Sequence, residues 1–318
     1  MINMFFKMIK SKFIFLIIVL ICSKSLLFSQ ENEMIMDSIP FGAIIQSELG
    51  GKRSKFYGNT RFTLNQAYFS NWISGGESSI TGLFGMDYNY NYSDRNGLIW
   101  DTNFLLSLGA TYIKGNDYTK KTDDRIEINS LIGKQINRLS SYSVYVNLKT
   151  QLQPGYNYPL TTGEEFNREK ISEFFSPAII QGGLGLYIKK EPIYWINMSP
   201  IAARFIMVNS DYTENLNEDQ KYFGVDPNKR SKFFFGASIT GNLKVNLMTN
   251  VTLENKFNTY INYLEKTKNV DIDWNMDFRF KVNDKISSNL IVHFIYDDDL
   301  IKKLQIRELF GLGINIDL

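Results

Sequence analysis

The sequence predicts an all-β protein: an up-and-down antiparallel transmembrane β-barrel of about 12 strands, with short periplasmic turns and longer extracellular loops. Three observations lead to this prediction. Apolar and polar residues alternate over long segments, the connections between segments alternate between short and long, and aromatic residues lie near segment ends. Soluble strands usually have about five or six residues, whereas a tilted membrane-spanning strand needs about 9–11. Segment length therefore favours a barrel over a soluble β-sandwich, which would alternate in the same way.

The alternation is clearest between Val270 and Val282. Every second residue there is apolar, and the residues between them are Asp, Asn, Arg or Lys. Because successive side chains of a strand point to opposite faces, this spacing gives each strand one apolar and one polar face. The same pattern recurs over 100–112, 232–245, 286–296 and 310–318.

The connections predict how the strands run. Short connections are expected at 93–96, 137–141, 190–192, 247–250 and 283–285, and longer ones at 114–122, 157–173, 210–230, 264–268 and 297–303. This regular exchange is typical of a barrel with periplasmic turns and extracellular loops. Lipid offers no hydrogen bonds to an open sheet edge. We therefore expect the strand near 61–69 to pair with 305–318.

Aromatic residues are expected at the two membrane interfaces, where a ring can lie at the level of the headgroups. The residues that suggest such belts are Tyr88, Tyr90, Tyr92, Trp100, Tyr112, Tyr187, Tyr194, Trp195, Tyr260, Tyr263 and Tyr296.

The start of the chain predicts export. Lys7, Lys10 and Lys12 precede the apolar stretch 13–21, the pattern of a secretory signal peptide, which we place at 1–29. Residues 30–59 are then expected to be a periplasmic segment and 60–318 the barrel. The single cysteine, Cys22, lies in the signal peptide, so the mature chain has no disulfide. The net charge of +2, with scattered signs, argues against a nucleic-acid partner.

Several short motifs together are distinctive. They are Gln66, Asn71-Trp72 and Gly75-Gly76-Glu77 near the first strand, then Lys121-Thr122-Asp123-Asp124-Arg125, Ser176-Pro177-Ala178 with Gly183-Leu184-Gly185, Tyr296-Asp297-Asp298-Asp299, and Leu309-Phe310-Gly311-Leu312-Gly313. This set resembles a family of Bacteroidota outer-membrane β-barrels of unknown function, the domain of unknown function 3078. The resemblance spans roughly 60–318. It implies an outer-membrane barrel and no known activity.

The polar strand faces supply the candidate functional residues, since they should line the lumen. These candidates are Arg125, Glu127, Lys149, Lys244, Glu254, Lys256, Asp271, Asp273, Asp277, Arg279, Lys281, His293 and Glu308. Two interpretations stay open. The charges tune the selectivity of a polar channel, or they pair with one another and fill a closed barrel. A lumen of about twelve strands lies between filled eight-stranded barrels and open sixteen-stranded porins.

No catalytic, cofactor or metal site is expected. His293 is the only histidine, and the strand pattern turns it inward, away from the lipid that a barrel-embedded lipase would attack. The acidic stretch 296–299 lacks the spacing of a calcium loop, so a solvated turn is favoured. The glycines of 71–77 favour a conformational role over a binding site.

The favoured function is a non-enzymatic small-solute channel or transport barrel in the bacterial outer membrane. The alternative is a structural or assembly partner whose loops at 157–173 and 210–230 dock other envelope proteins, and a lipid-active enzyme is a weaker alternative. The partners expected are outer-membrane lipid, the barrel assembly machinery during biogenesis, and a small solute or an envelope protein.

Overall fold

The computed structural model describes residues 45–49, 52–70, 76–116, 118–157, 168–218, 220–265, 269–297 and 301–317. The predicted signal peptide, the turn at 71–75 and Asp298-Asp299 lie outside the described residues. The strands are β1 (Ile45–Leu49), β2 (Lys52–Ala67), β3 (Ser79–Ser93), β4 (Leu98–Ile113), β5 (Thr119–Gln135), β6 (Ser140–Thr150), β7 (Gly155–Asn157), β8 (Glu169–Ser172), β9 (Ala178–Lys190), β10 (Tyr194–Met207), β11 (Ser231–Met248), β12 (Val251–Asn262), β13 (Asp271–Lys281), β14 (Ile286–Asp297) and β15 (Ile301–Asp317).

Twelve of these strands close into one antiparallel barrel. The order around the ring is β2-β3-β4-β5-β6-β9-β10-β11-β12-β13-β14-β15, and β15 pairs with β2 to complete it. Strand β1 pairs with the start of β2, and β7 with β8 forms a small hairpin in the connection between β6 and β9. The predicted up-and-down barrel is confirmed. A single closed sheet also excludes the soluble sandwich.

The connections alternate between the two ends of the barrel, and all of the long ones lie at the same end. The short-turn end carries 94–97, 136–139, 191–193, 249–250 and 282–285, together with the start of β2 and the end of β15. The long-loop end carries 68–78, 114–118, 151–177, 208–230, 263–270 and 298–300. Two of the latter are shorter than expected, because β5 already begins at Thr119 and β15 at Ile301.

The first barrel strand begins at Lys52, earlier than the expected start at residue 60. From Arg53 onward β2 pairs continuously with β3, and Lys52–Phe56 also pairs with β1. The sequence did not reveal this part of the strand, because Lys52–Lys55 are four polar residues in a row and break the alternation. Part of the predicted periplasmic segment is therefore strand.

The two faces of the barrel have the reverse polarity of a soluble protein. Exterior side chains of β15 are apolar and exposed: Ile306 by 63%, Phe310 by 58% and Leu312 by 63%. The buried side chains are mostly polar and include Ser143, Asn147, Gln181, Asn197, Ser199, Ser287 and Asn289. An apolar exterior around a polar interior is the arrangement of membrane-spanning barrels.

Three aromatic residues expected at the rim lie inside the barrel instead: Tyr187 and Tyr260, which are buried, and Trp195, which packs against Tyr187 and lines an interior cavity. Tyr187 shares its strand face with the interior residue Gln181, and Tyr260 shares its face with Asn258. The hydroxyl of Tyr187 hydrogen-bonds with Asp101 at 2.9 Å, and the Tyr260 ring lies 4.0 Å from the Arg204 guanidinium. Position along the strand suggested a belt, but strand parity decides which side of the wall each ring occupies.

Candidate functional site in the barrel interior

Two ion pairs join nearly opposite walls of the barrel. Lys149 on β6 contacts Asp273 on β13, and Lys256 on β12 contacts Asp87 on β3. In both cases the partners' strands are five places apart in the ring of twelve. These side chains therefore cross the interior instead of lying along its wall.

Four further pairs span shorter arcs. Arg307 on β15 contacts Asp123 on β5, four strands away. The other three join strands three places apart: Lys189 with Asp101 at 2.8 Å, Arg204 with Asp271 at 2.6 Å, and Arg61 with Asp277 at 2.9 Å. Ion pairs thus bridge the interior at several levels. We call these six contacts the crossing pairs.

Neutral polar groups hold the charges in place. Glu127 accepts hydrogen bonds from Asn129 and Asn147, both at 3.0 Å, and also contacts Arg125. Attraction between opposite charges is stronger in such a partly dehydrated interior than in water. A charge left there without its partner would be costly. The crossing pairs and their amide neighbours therefore stabilise one another.

His293 belongs to this network. Its Nε2 lies 2.6 Å from Asp273 Oδ1, so Asp273 is shared between His293 and Lys149. Its Nδ1 lies 3.5 Å from Nη2 of Arg307. Both ring nitrogens thus face charged groups, which suits a structural role for the ring in the network.

A cavity of about 510 Å³ lies within the barrel. Gln151, Pro177 and Phe223 line it near the long-loop end, and Trp195 and Asn242 line it at greater depth. We call this cavity the vestibule. The pairs Lys189–Asp101 and Arg61–Asp277 are not among its lining residues, although Trp195, the register partner of Lys189, is. Three other crossing pairs line the vestibule with both partners: Lys149–Asp273, Arg204–Asp271 and Arg307–Asp123.

Most of the predicted lumen residues are found inside the barrel. Seven line the vestibule: Arg125, Glu127, Lys149, Lys256, Asp271, Asp273 and His293. Deeper in the barrel, Asp277 accepts from Arg61, and Glu254 accepts from Asn242 at 2.7 Å. Lys244 is the register partner of Glu254, and Arg279 is the partner of Asn289. Lys281 contacts Asp284 in the β13–β14 turn, at the edge of the barrel.

Glu308 is the exception, and its predicted lumen position is wrong. It lies on the exterior face of β15, between Ile306 and Phe310, while its neighbour Arg307 points inward. Strand parity is the reason, since Glu308 is an even number of residues from Phe310 and Leu312. The alternation in the sequence contained this information.

Sequence reasoning also missed several interior charges. They are Arg61, Asp87, Asp101, Asp123, Arg204 and Arg307. Asp101 lies on the polar face of a recognised segment, and its parity could have identified it. Arg204 had no such signal, because Ala202 and Ala203 precede it in a weakly alternating stretch.

Within the described ranges, no three His, Cys, Asp or Glu residues gather in a way that could hold a metal ion. No helix in that part of the chain has the length and apolar character needed to cross a membrane.

Solved structures with a similar fold are distant in sequence. The translocator domain of the autotransporter NalP from Neisseria meningitidis is 8% identical, with a TM-score of 0.33, over 84% of this chain and 88% of that one. An outer-membrane channel from Pseudomonas putida F1 is 11% identical, with a TM-score of 0.34, over 85% and 96%. A mutant porin of Rh. blastica is 8% identical, with a TM-score of 0.22, over 83% and 100%.

No curated protein matches the chain. A family model does match over residues 64–156, and its description is a protein of unknown function, DUF3078. The matched part runs from β2 into β7 and includes the motif at Lys121–Arg125. The expected resemblance to the domain of unknown function 3078 is thus confirmed for this part of the chain.

Proposed function

We propose that this protein is a gated small-solute channel of the bacterial outer membrane, whose resting lumen is closed by the crossing pairs. The observation that carries the proposal is the contact of Lys149 with Asp273 and of Lys256 with Asp87 between nearly opposite walls. It favours the second of the two interpretations of the interior charges, a closed barrel, for the resting state.

The membrane location has support in the exterior surface. Apolar side chains face outward along the barrel strands, for example Val144 on β6, Ile239 on β11 and Ile314 on β15. Such a surface is unfavourable in water and favourable in lipid. The predicted signal peptide and the resemblance to Bacteroidota outer-membrane barrels are consistent with this location.

Opening requires the crossing pairs to separate without leaving bare charges. Removing one partner of a buried pair costs about 3–5 kcal/mol. A zwitterionic solute lowers this cost, because it can supply a new partner to each of the two charges that it separates, whereas a solute with a single charge can supply a partner to only one of them. The vestibule, which is lined by both acids and bases, is the place where such a solute would first bind.

The test is conductance in planar lipid bilayers. Wild-type protein should be silent for most of the recording. A variant with Lys149→Gln, Asp273→Asn, Lys256→Gln and Asp87→Asn should carry a steady current, since it keeps polar side chains but loses both of the longest crossing pairs. The control is Lys281→Gln with Asp284→Asn, which removes an ion pair from the β13–β14 turn and should leave the channel silent.

Two results would overturn the gate. One is a wild-type current equal to that of the fourfold variant. The other is a silent fourfold variant that still shows the heat-modifiable gel migration of a folded barrel.

The alternative is an assembly or structural partner. The two longest connections hold each other, since Asn209 donates to Glu173 at 2.6 Å and Tyr222 donates to the Ile171 carbonyl at 2.7 Å. Tyr212 stacks on Tyr222 within 208–230, which orders the ring that makes this contact. The resulting platform could dock an envelope protein. Co-purification of an envelope protein that is lost when 208–230 is shortened, together with a silent fourfold variant, would favour this function.

We propose no catalytic function. His293 contacts Asp273 and Arg307, which fix the ring within the ion-pair network. Purified protein should therefore release no fatty acid from phospholipid vesicles. Hydrolysis that disappears in a His293→Ala variant would contradict this.

A further inference from the structure

The junction between β2 and β15 is much shorter than any other in the barrel. Asn59–Leu64 pairs with Leu312–Asp317, which gives six register positions. Every other neighbouring pair of barrel strands in the described residues shares at least ten. The ring is therefore closed at the short-turn end, and the junction covers only the last six of the 17 residues of β15.

Above that point no register pair joins the two strands in the described residues. Asn65, Gln66 and Ala67 pair with β3, and β15 from Ile301 to Gly311 pairs with β14. The contact between the two edges there is a hydrogen bond from Asn65 Nδ2 to the Phe310 carbonyl, at 3.1 Å. Continuing the register would bring Gln66 opposite Phe310, but these residues are not paired in the described structure.

Among the described residues, the edge of β15 above Gly311 has no backbone partner on the β2 side, and such an edge in a membrane wall needs an explanation. Unsatisfied backbone groups cost several kcal/mol each in hydrocarbon, and spanning barrels normally close to avoid this. Irregular backbone at this depth is tolerated where it borders a polar cavity. The free edge of β15 does so, since Gln305 and Arg307 line the vestibule. The gap thus lies between the vestibule and the exterior.

Opposite charges lie on the two sides of this free edge. Arg307 points inward to Asp123, and its Nε is buried without a hydrogen-bond partner. Glu308 points outward from a wall that is otherwise apolar at Leu304, Ile306 and Phe310. Charged residues within a membrane wall are rare and usually functional. Toward the short-turn end, Phe62, Leu64 and Leu312 continue the wall as an exposed apolar surface.

We propose that the gap between β2 and β15 is a lateral portal through which a membrane amphiphile with a zwitterionic phosphate–ammonium headgroup reaches the vestibule. This rests on the proposed membrane location and names the class of solute. The phosphate binds Arg307, including its unpartnered Nε. The ammonium takes the place of Arg307 beside Asp123, with Glu308 as its first contact outside. The acyl chain stays in the membrane along Phe62, Leu64 and Leu312.

The exchange is electrically balanced. A zwitterion replaces the ion pair between Arg307 and Asp123 with two new pairs, so no charge is left bare in the interior. A purely cationic head would pair with Asp123 and leave Arg307 without a counter-charge, and a purely anionic head would do the reverse. An uncharged head would satisfy neither.

The probe is palmitoyl lysophosphatidylethanolamine, and the measurement is its retention on the mature full-length chain by native mass spectrometry. The wild type should retain it about tenfold better than palmitoyl monoglycerol, which has a similar chain and an uncharged head. Arg307→Gln with Asp123→Asn removes the exchangeable pair and should abolish this preference. Equal retention of both lipids by the wild type, or an unchanged preference in the double variant, would overturn the proposal.

A disulfide across the gap tests the route. Gln66→Cys with Phe310→Cys, once oxidised, should close the portal and reduce retention about tenfold when the lipid is added afterwards. The matched control is Thr60→Cys with Ile316→Cys, register partners in the part of the junction that is already paired and away from the residues that hold the acyl chain. Its disulfide should leave retention unchanged. Equal retention in the two locked variants would show that the lipid does not enter here.

These outcomes are independent of the gate. If the fourfold variant conducts but the wild type retains no amphiphile, only the portal proposal is wrong. If the wild type conducts continuously and still retains the amphiphile through Arg307, only the gate proposal is wrong.

Discussion

At the scale of single residues, the interior depends on charges whose partners lie on another wall. Lys256 is the clearest case, since it contacts Asp87 across the barrel and also lies 3.6 Å from Glu254. We expect Lys256→Met to lower the free energy of unfolding by about 3 kcal/mol, because it leaves Asp87 without its cation and removes one of the cations near Glu254. Urea unfolding in lipid vesicles measures this.

The matched variant adds Asp87→Asn to Lys256→Met. The amide introduced at this position can still hydrogen-bond with Asn103, which in the wild type donates to Asp87 at 2.6 Å, and the interior loses a bare charge. Much of the lost stability should therefore return. A double variant as unstable as the sum of the two single variants would show that the two residues do not interact.

Glu191, in the turn between β9 and β10, gives a pH-dependent prediction. Burial raises the pKa of this carboxyl, but Lys189 at 2.6 Å and Lys55 at 3.7 Å outweigh that effect and lower it below 4.5. A lowered folded pKa stabilises the protein above the unfolded pKa, and the contribution is lost as pH falls through the folded value. Half-exposed Glu191 should contribute less than about 1 kcal/mol.

The comparison is wild type against Glu191→Gln, with unfolding followed from about pH 7 to pH 3. The wild type should be the more stable at neutral pH. The difference should shrink below pH 4.5, where Glu191 takes up a proton. A difference that is constant over this range would contradict the assignment.

The alternation of residues along each strand predicted most of the interior residues. The errors arose where this alternation was not applied. Glu308 was assigned to the lumen although it lies two residues from the exterior Phe310 and therefore on the same face of β15. Tyr187, Trp195 and Tyr260 were misplaced because proximity to a strand end was given more weight than parity. The partners in the crossing pairs could not be predicted at all. Asp87 and Lys256 meet because of the ring order and the stagger of the strands, which no local pattern encodes.

At the scale of strands, glycine permits an irregular pairing between β9 and β10. The register shifts at Met198 to Ile201, and Gly185 lies opposite this bulge. A Cβ built on Gly185 would lie 2.0 Å from the Met198 carbonyl oxygen, so the strands would have to separate. Gly185→Ala should therefore destabilise the barrel by about 1–3 kcal/mol.

The control for this prediction is Gly82→Ala on β3. A Cβ there meets no atom within 4 Å, so the change should stay within about 0.5 kcal/mol. Both variants can be compared by the temperature at which the folded band disappears on gels. Equal midpoints would show that the close approach at Gly185 is not a constraint.

Strand number and direction were predictable because alternation and loop length are local features. The residue at which each strand begins was less predictable, as the polar start of β2 at Arg53–Lys55 shows. The register between β2 and β15 is a property of the whole ring. The sequence predicted that these strands meet, but not that Leu64 and Leu312 are the last pair before the gap.

At the scale of the whole molecule, the fold places polar groups inside and apolar groups outside, which is stable only if the exterior is covered. Ile239, near the middle of β11, is a test position, since its side chain faces outward and is 43% exposed. In a lipid bilayer, Ile239→Arg should cost about 2–4 kcal/mol, because the charge would lie near the midplane. In a water-exposed barrel the same change would be neutral or would improve solubility.

Met248 is the matched control, because it lies at the short-turn end of the same strand and is 70% exposed. Near a membrane interface an arginine costs only about 0–1 kcal/mol. Urea unfolding in vesicles should therefore separate Ile239→Arg from Met248→Arg by at least about 1 kcal/mol. Because the depth of the substitution is the main difference between the two variants, equal stabilities would mean that β11 does not cross a hydrocarbon layer. The membrane location, and the gate and portal that depend on it, would then be wrong.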